Sequence, residues 1–221
     1  MKVIAVVFFT LFSVGVLASN QAFDEFKKKI EGQKSPQQRS ELLVIANELL
    51  ASESLDELQT AFVLHRAGLI CIREACFDKT EQYLAKLERL LTTFESLEYS
   101  GKLNLSRGNM AITRGNHFDA VDYLIQAATY FDEAQLYTLS SHANRFLSHA
   151  YQKLNKYSDA IIALDAALSA ALKSENVQLE MAAARQKSGL YTSLDLVEKS
   201  LEIQIQQIQK IPYLPKQAQE F

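Results

Sequence analysis

The sequence predicts an all-α protein, a solenoid of antiparallel helical hairpins with a period of about 40 residues, and three observations predict it. A shift of 40 residues aligns small with small: Gly68, Gly108, Ser148 and Ser188 form one column, and Thr80, Ala120, Ala160 and Ser200 another. Bulky groups (Phe77, His117, Tyr157, Val197) precede the second column by three residues, and Leu84, Leu124 and Leu164 follow it by four. Small side chains let two helices approach closely, and the larger ones fill the space beside them. Within a unit the apolar positions have helical spacing, as in Ala160, Ile161, Leu164, Ala167, Leu168, Ala171 and Leu172. Finally, 7 Gly and 3 Pro in 221 residues are too few for the turns of a sandwich or barrel.

In chain order, residues 1–18 carry one basic residue, Lys2, then an uncharged stretch ending Val16-Leu17-Ala18, the pattern of a secretory signal peptide cleaved after Ala18. The stretch is broken by Thr10, Ser13 and Gly15 and is shorter than the roughly 20 residues that span a bilayer. No later run is apolar enough to cross a membrane, so no stable span is expected after cleavage. Residues 19–36 read as a polar lead-in and 37–210 as the repeat domain. That domain holds a lone helix over 37–51, then pairs over 55–74 and 78–94, 97–113 and 117–133, 136–154 and 157–173, and 176–193 and 195–210, about nine helices in all. Short breaks such as Arg114-Gly115-Asn116 and Leu154-Asn155-Lys156 separate paired helices, and longer polar joints, at 92–96 and 173–176, link the units. In the last helix Leu194, Val197, Leu201, Ile208 and Ile211 fall on an a/d-like ladder with Gln204 in the remaining slot. It packs on the preceding unit or pairs with a second copy as a homodimer through 195–210. Residues 211–221, beginning Ile211-Pro212-Tyr213-Leu214-Pro215, read as an extended tail.

Leu147, Ser148, Tyr151, Tyr157, Ala160, Leu164 and Ala167, with Gly108, Gly115, Ala120, Leu124 and Ala127 one unit earlier, resemble the tetratricopeptide repeat. The resemblance covers residues 55–210. It departs from the family in its period, 40 instead of 34, and in Asn104 and Asn144, which stand where an aromatic or Leu is usual. It implies a concave groove lined by the first helix of each hairpin. Carried over position by position, the groove residues are Lys102 and His142, then Arg145 and Arg185, then Asn109 and His149, then Gln152. This locally basic, hydrogen-bonding trough in a chain of net charge −3 resembles those with which some family members hold a peptide carboxylate.

Chemistry is sparse. The four His (65, 117, 142, 149) lack metal-ligand spacing, and no nucleophile elbow, phosphate loop or dinucleotide fingerprint is present, so neither an enzyme nor a cofactor nor a metal is expected. With a pI near 5.9 the chain lacks the broad positive field that binds nucleic acid. Cys71 and Cys76 have two readings: a local disulfide clamping a turn, or two small buried thiols. The expected function is an exported, periplasmic or secreted module that binds a peptide or protein segment, acidic or carboxylate-ended. The alternative is a ligand-sensing input domain. The leader, the hairpins and the final helix resemble the periplasmic sensor halves of bacterial diguanylate cyclases and histidine kinases.

Overall fold

The computed structural model describes residues 21–32, 35–52 and 54–210, and among them every regular element is a helix, ten in all. The leader over 1–18 and the tail over 211–221 lie outside the described residues. The chain divides at Glu95 and Ser96 into two units.

The first unit holds α1 (21–31), α2 (Pro36–Ala51), α3 (Glu57–Arg73) and α4 (Phe77–Leu90). The lead-in expected over 19–36 thus contains a helix, which makes ten where nine were expected. Phe23, Phe26 and Ile30 recur at helical spacing, and all three are buried. Phe23 and Phe26 meet Phe62 of α3 edge to face, with ring centroids 5.6 and 6.4 Å apart. α2 and α3 both start on capping boxes. Ser35 Oγ accepts from Gln38 N and Asp56 Oδ1 from Gln59 N, while each Gln side chain accepts from its cap's own backbone. Tyr83 of α4 donates to Asn47 Oδ1 of α2 at 2.8 Å, and Arg39 pairs with Glu74.

The second unit holds α5 (Leu97–Thr113), α6 (His117–Glu133), α7 (Tyr137–Lys153), α8 (Tyr157–Lys173), α9 (Val177–Ser193) and α10 (Val197–Lys210). Three hairpins, α5/α6, α7/α8 and α9/α10, stack so that α7 touches α5 and α9 as well as its own partner. α5 and α9 start on side-chain caps, Ser96 and Asn176; α6, α7 and α8 have none. One turn serves every link from α5 onward. Gly115, Gln135, Asn155, Glu175 and Asp195 each adopt a left-handed φ between 54° and 81°, and Ala75 does so between α3 and α4. Around each, two backbone N–H groups return to the preceding helix. Gly115 N donates to Ile112 O and Asn116 N to Ala111 O; Asn155 N donates to Gln152 O and Lys156 N to Tyr151 O. This double closure satisfies carbonyls that a helix end otherwise leaves bare. The links at 134–136 and 174–176 are no longer than those inside hairpins, contrary to the longer joint expected over 173–176. The links between α2 and α3 (52–56) and between α4 and α5 (91–96) are longer than this three-residue pattern.

The small columns mark the contacts expected of them. A Cβ on Gly68 would meet Leu84 Cδ2 at 3.3 Å, and one on Gly108 would meet Leu124 Cγ at 2.6 Å. Leu84, Leu124 and Leu164 are buried at the centre of their hairpins. In the last hairpin the column turns polar. Ser188 and Ser200 share a hydrogen bond at 2.8 Å, and Gln204 Nε2 donates to both hydroxyls. Gln204 therefore faces α9 and not an outward ladder. Leu194 packs beside Leu164 and Leu190, while Val197, Leu201, Ile205 and Ile208 form an exposed stripe along α10. Asn104 and Asn144 are buried and donate to the carbonyls of Ser100 and Ser140, so each satisfies its amide on its own helix.

Candidate functional site

The seven groove positions read from the sequence all lie in the second unit, on α5, α7 and α9, the first helices of its hairpins. The structure brings three of them together. His142, Arg145 and His149 occupy one face of α7 at i, i+3 and i+7. With Phe146 and with Gln186 of α9 they line a pocket of about 200 Å³.

Arg145 and Gln186 form a two-way clip between α7 and α9. Arg145 Nε donates to Gln186 Oε1 at 3.2 Å, and Gln186 Nε2 donates to Arg145 O at 3.1 Å. The clip fixes the guanidinium in one orientation, which reduces the side-chain ordering that binding would otherwise cost. Burial, and then the nearby Arg185 guanidinium, lower the pKa of Arg145. Burial is also the main cause that holds His142 below the ordinary imidazole value, with the charge of Arg145 second. His149 is lowered by burial, then by Lys153 and His117. Burial leads each shift and neighbouring positive charge adds to it; an anion relieves the second part.

The other four positions stand outside the pocket. Lys102, on α5, pairs with Glu98 one turn earlier and lies over the Tyr99 ring, 4.6 Å from its centroid. Asn109 is half-buried on α5. Gln152 turns onto its own helix, its Nε2 donating to Ser148 Oγ at 3.1 Å. Arg185 is exposed and lines a second depression of about 330 Å³ between α9 and α10, with Met181, Ile203, Gln207 and Ile208. Arg145 therefore carries the site, and Arg185 borders it.

Sequence reasoning missed Phe146 and Gln186. Gln186 stands 41 residues after Arg145, one beyond the repeat. Rows built at an offset of 40 pair Arg145 with Arg185, although the carboxamide that reaches it belongs to the next residue. Among the described residues no group of three or more His, Cys, Asp or Glu is placed to hold a metal ion, and no helix is long and apolar enough to cross a membrane.

No family model and no curated protein matches the chain. Solved structures do. A Rap protein complexed with competence and sporulation factor is similar at 14% identity over 87% of this chain and 52% of its own, with a TM-score of 0.67. Tetratricopeptide-like repeats of a putative kinesin light chain from Podosopora anserina match at 12% identity over 86% of this chain and 92% of theirs, TM-score 0.63. A signal-transduction ATPase with a tetratricopeptide repeat sensor, from Pyrococcus horikoshii, matches at 15% identity over 78% of this chain and 28% of its own, TM-score 0.63. The chain thus spans about half of the Rap protein and under a third of the ATPase.

Proposed function

Starting from a chain whose fold is tetratricopeptide-like, we propose that it is a non-enzymatic protein-interaction module that holds an anionic segment of its partner, an acidic side chain or a free C-terminal carboxylate, against Arg145. One observation carries this reading: a basic, partly desolvated pocket on the face of α7 toward α9, its guanidinium oriented by Gln186. A carboxylate there takes charge-assisted bonds from the guanidinium and favours uptake of protons from solvent by the two imidazoles beside it. The Rap protein, solved with competence and sporulation factor, lends support by its fold. The leader-like segment over 1–18 supports a site of action outside the cytoplasm.

Titration calorimetry with acidic peptides, ending in a free carboxylate or an amide, tests the proposal against wild type and the Arg145→Glu, Arg185→Glu double variant. Reversing the charge lowers affinity at least tenfold for a ligand held by charge-assisted bonds. Equal binding by both proteins refutes the assignment. In parallel, crosslinking capture from cell envelopes with the same pair identifies which partners depend on Arg145 and Arg185.

A second reading is that the module senses a small anionic ligand. The pocket is small enough for one, and the tetratricopeptide repeat sensor of the similar ATPase favours it. A second surface is the stripe of Val197, Leu201, Ile205 and Ile208, which we assign to pairing of α10 with a second copy. Light scattering that reports a monomer at high protein concentration would refute that pairing.

A further inference from the structure

We propose that Cys71 and Cys76 are a thiol–disulfide exchange site, which closes an intramolecular disulfide across the turn from α3 to α4 when it meets a disulfide oxidant. These are the two cysteines of the chain, and they occupy the two ends of one left-handed turn. Cys76 N donates to Cys71 O at 2.9 Å, the bond that Asn116 makes to Ala111, Leu136 to Phe131 and Lys156 to Tyr151 in the equivalent turns. In this kind of helix end the residues joined by that bond bring their side chains into contact. A continuous helix would hold residues 71 and 76 about 8 Å apart, beyond the reach of a disulfide. Here Ala75, at φ 54°, turns the chain back and removes that obstacle.

The Cys76 thiol already lies against the Cys71 end of the turn. Its Sγ donates to Cys71 O at 3.4 Å.

The pair is asymmetric, which sets the order of events. Cys71 is buried, and burial first, then the contact with Cys76, pushes its thiol up to about 12. Cys76 is half-exposed at the start of α4. The Cys76 thiolate attacks the oxidant's disulfide, forms a mixed disulfide and expels one thiolate, which takes up a proton. Cys71 gives up its proton and attacks Cys76 Sγ, expelling the second thiol. Two cysteine thiols become one disulfide, and the oxidant's disulfide becomes two thiols. Burial disfavours the Cys71 thiolate, so closure accelerates as pH rises.

The test equilibrates the full chain with mixtures of reduced and oxidised glutathione, followed by thiol alkylation and peptide mass mapping. Wild type should lose both alkylatable thiols together and give a cross-linked peptide joining 71 to 76. Cys71→Ala should stop at a glutathione adduct on Cys76. That variant is expected to fold, because Ala111 fills the equivalent position in the next repeat, and far-ultraviolet circular dichroism checks this. Cys76→Ser should leave Cys71 unreacted. Wild type that accumulates a stable glutathione adduct, that keeps both thiols at every ratio, or that cross-links only between chains overturns the proposal.

Discussion

Two glycines in similar helical settings should respond to alanine with opposite sign. Gly189 lies inside α9 with nothing within 4 Å of where a Cβ would sit. Gly189→Ala therefore changes helix propensity alone and stabilises by about 1 kcal/mol. Gly108, inside α5, gains the same propensity, but its new Cβ falls 2.6 Å from Leu124 Cγ and 2.8 Å from Leu124 Cδ2. Carbon atoms in contact prefer roughly 3.5–4.0 Å, so α5 and α6 must separate by about 1 Å or Leu124 must leave its rotamer. Leu124 has no room to yield, buried as it is among Ala111, Ala120, Leu147, Ala150 and Ala163. Overpacking of this kind costs about 1–3 kcal/mol. The net effect of Gly108→Ala is a loss of roughly 0–2 kcal/mol, and the gap between the two variants is the overpacking cost itself. Urea denaturation followed at 222 nm reads both, provided the slope of each transition is unchanged. A cycle with Leu124→Ala isolates the contact: that change alone costs about 2–5 kcal/mol, but with Leu124 truncated, Gly108→Ala should become favourable. If Gly108→Ala stabilised the intact protein as much as Gly189→Ala, the close approach of α5 and α6 through this column would be wrong.

The imidazoles of His142 and His149 are held below their ordinary value in the folded protein, chiefly by burial. The unfolded chain therefore binds more protons as pH falls below about 6.5, and stability drops through that window. The His142→Asn, His149→Gln double variant should flatten the acid limb of a plot of denaturation midpoint against pH. Binding of an anionic peptide should strengthen over the same fall in pH, because an anion favours the protonated rings, and affinity that stays flat from about pH 8 to 5.5 would remove them from the site. Gly115→Ala introduces a Cβ at φ 81° with open space around it, so it should cost about 1 kcal/mol from backbone strain alone, measured by urea denaturation. Phe26→Ala empties a buried position of α1 and should cost about 3–5 kcal/mol, with faster hydrogen exchange over 21–31 than elsewhere in the first unit.

The hairpins were legible because close helix contact excludes large side chains. Gly68 against Leu84 and Gly108 against Leu124 recur at the distance that the architecture repeats. α1 was hidden by composition: Lys27, Lys28 and Lys29 make the segment read as polar, although Phe23, Phe26 and Ile30 keep a helical interval on its other face. The uniformity of the links was hidden for a different reason. Left-handed turn residues announce themselves as glycine, and of these six only Gly115 is one. Asn155 and Asp195 tolerate that conformation, and at Ala75, Gln135 and Glu175 the double backbone closure accompanies it. Arg145 was legible as a basic residue on a first helix. Its clip to Gln186 was not, since that bond joins residues 41 apart and so falls outside rows built at the repeat of 40.

The recurrence of one turn at 115, 135, 155, 175 and 195 also bears on how such a chain can change over generations. A crossover that excised residues 137–176 would leave α9 entering directly from Leu136, the residue from which α7 enters now. Gln135 would still reverse the chain, and the N–H groups of Gln135 and Leu136 would still close on Asp132 and Phe131. The strain at each reversal is local, and most of the packing is with immediate neighbours, so the joint itself does not register how many hairpins lie beyond it. In this unit length is a heritable variable that moves in whole hairpins, and selection can lengthen or shorten the stack without having to find a new way of turning the chain.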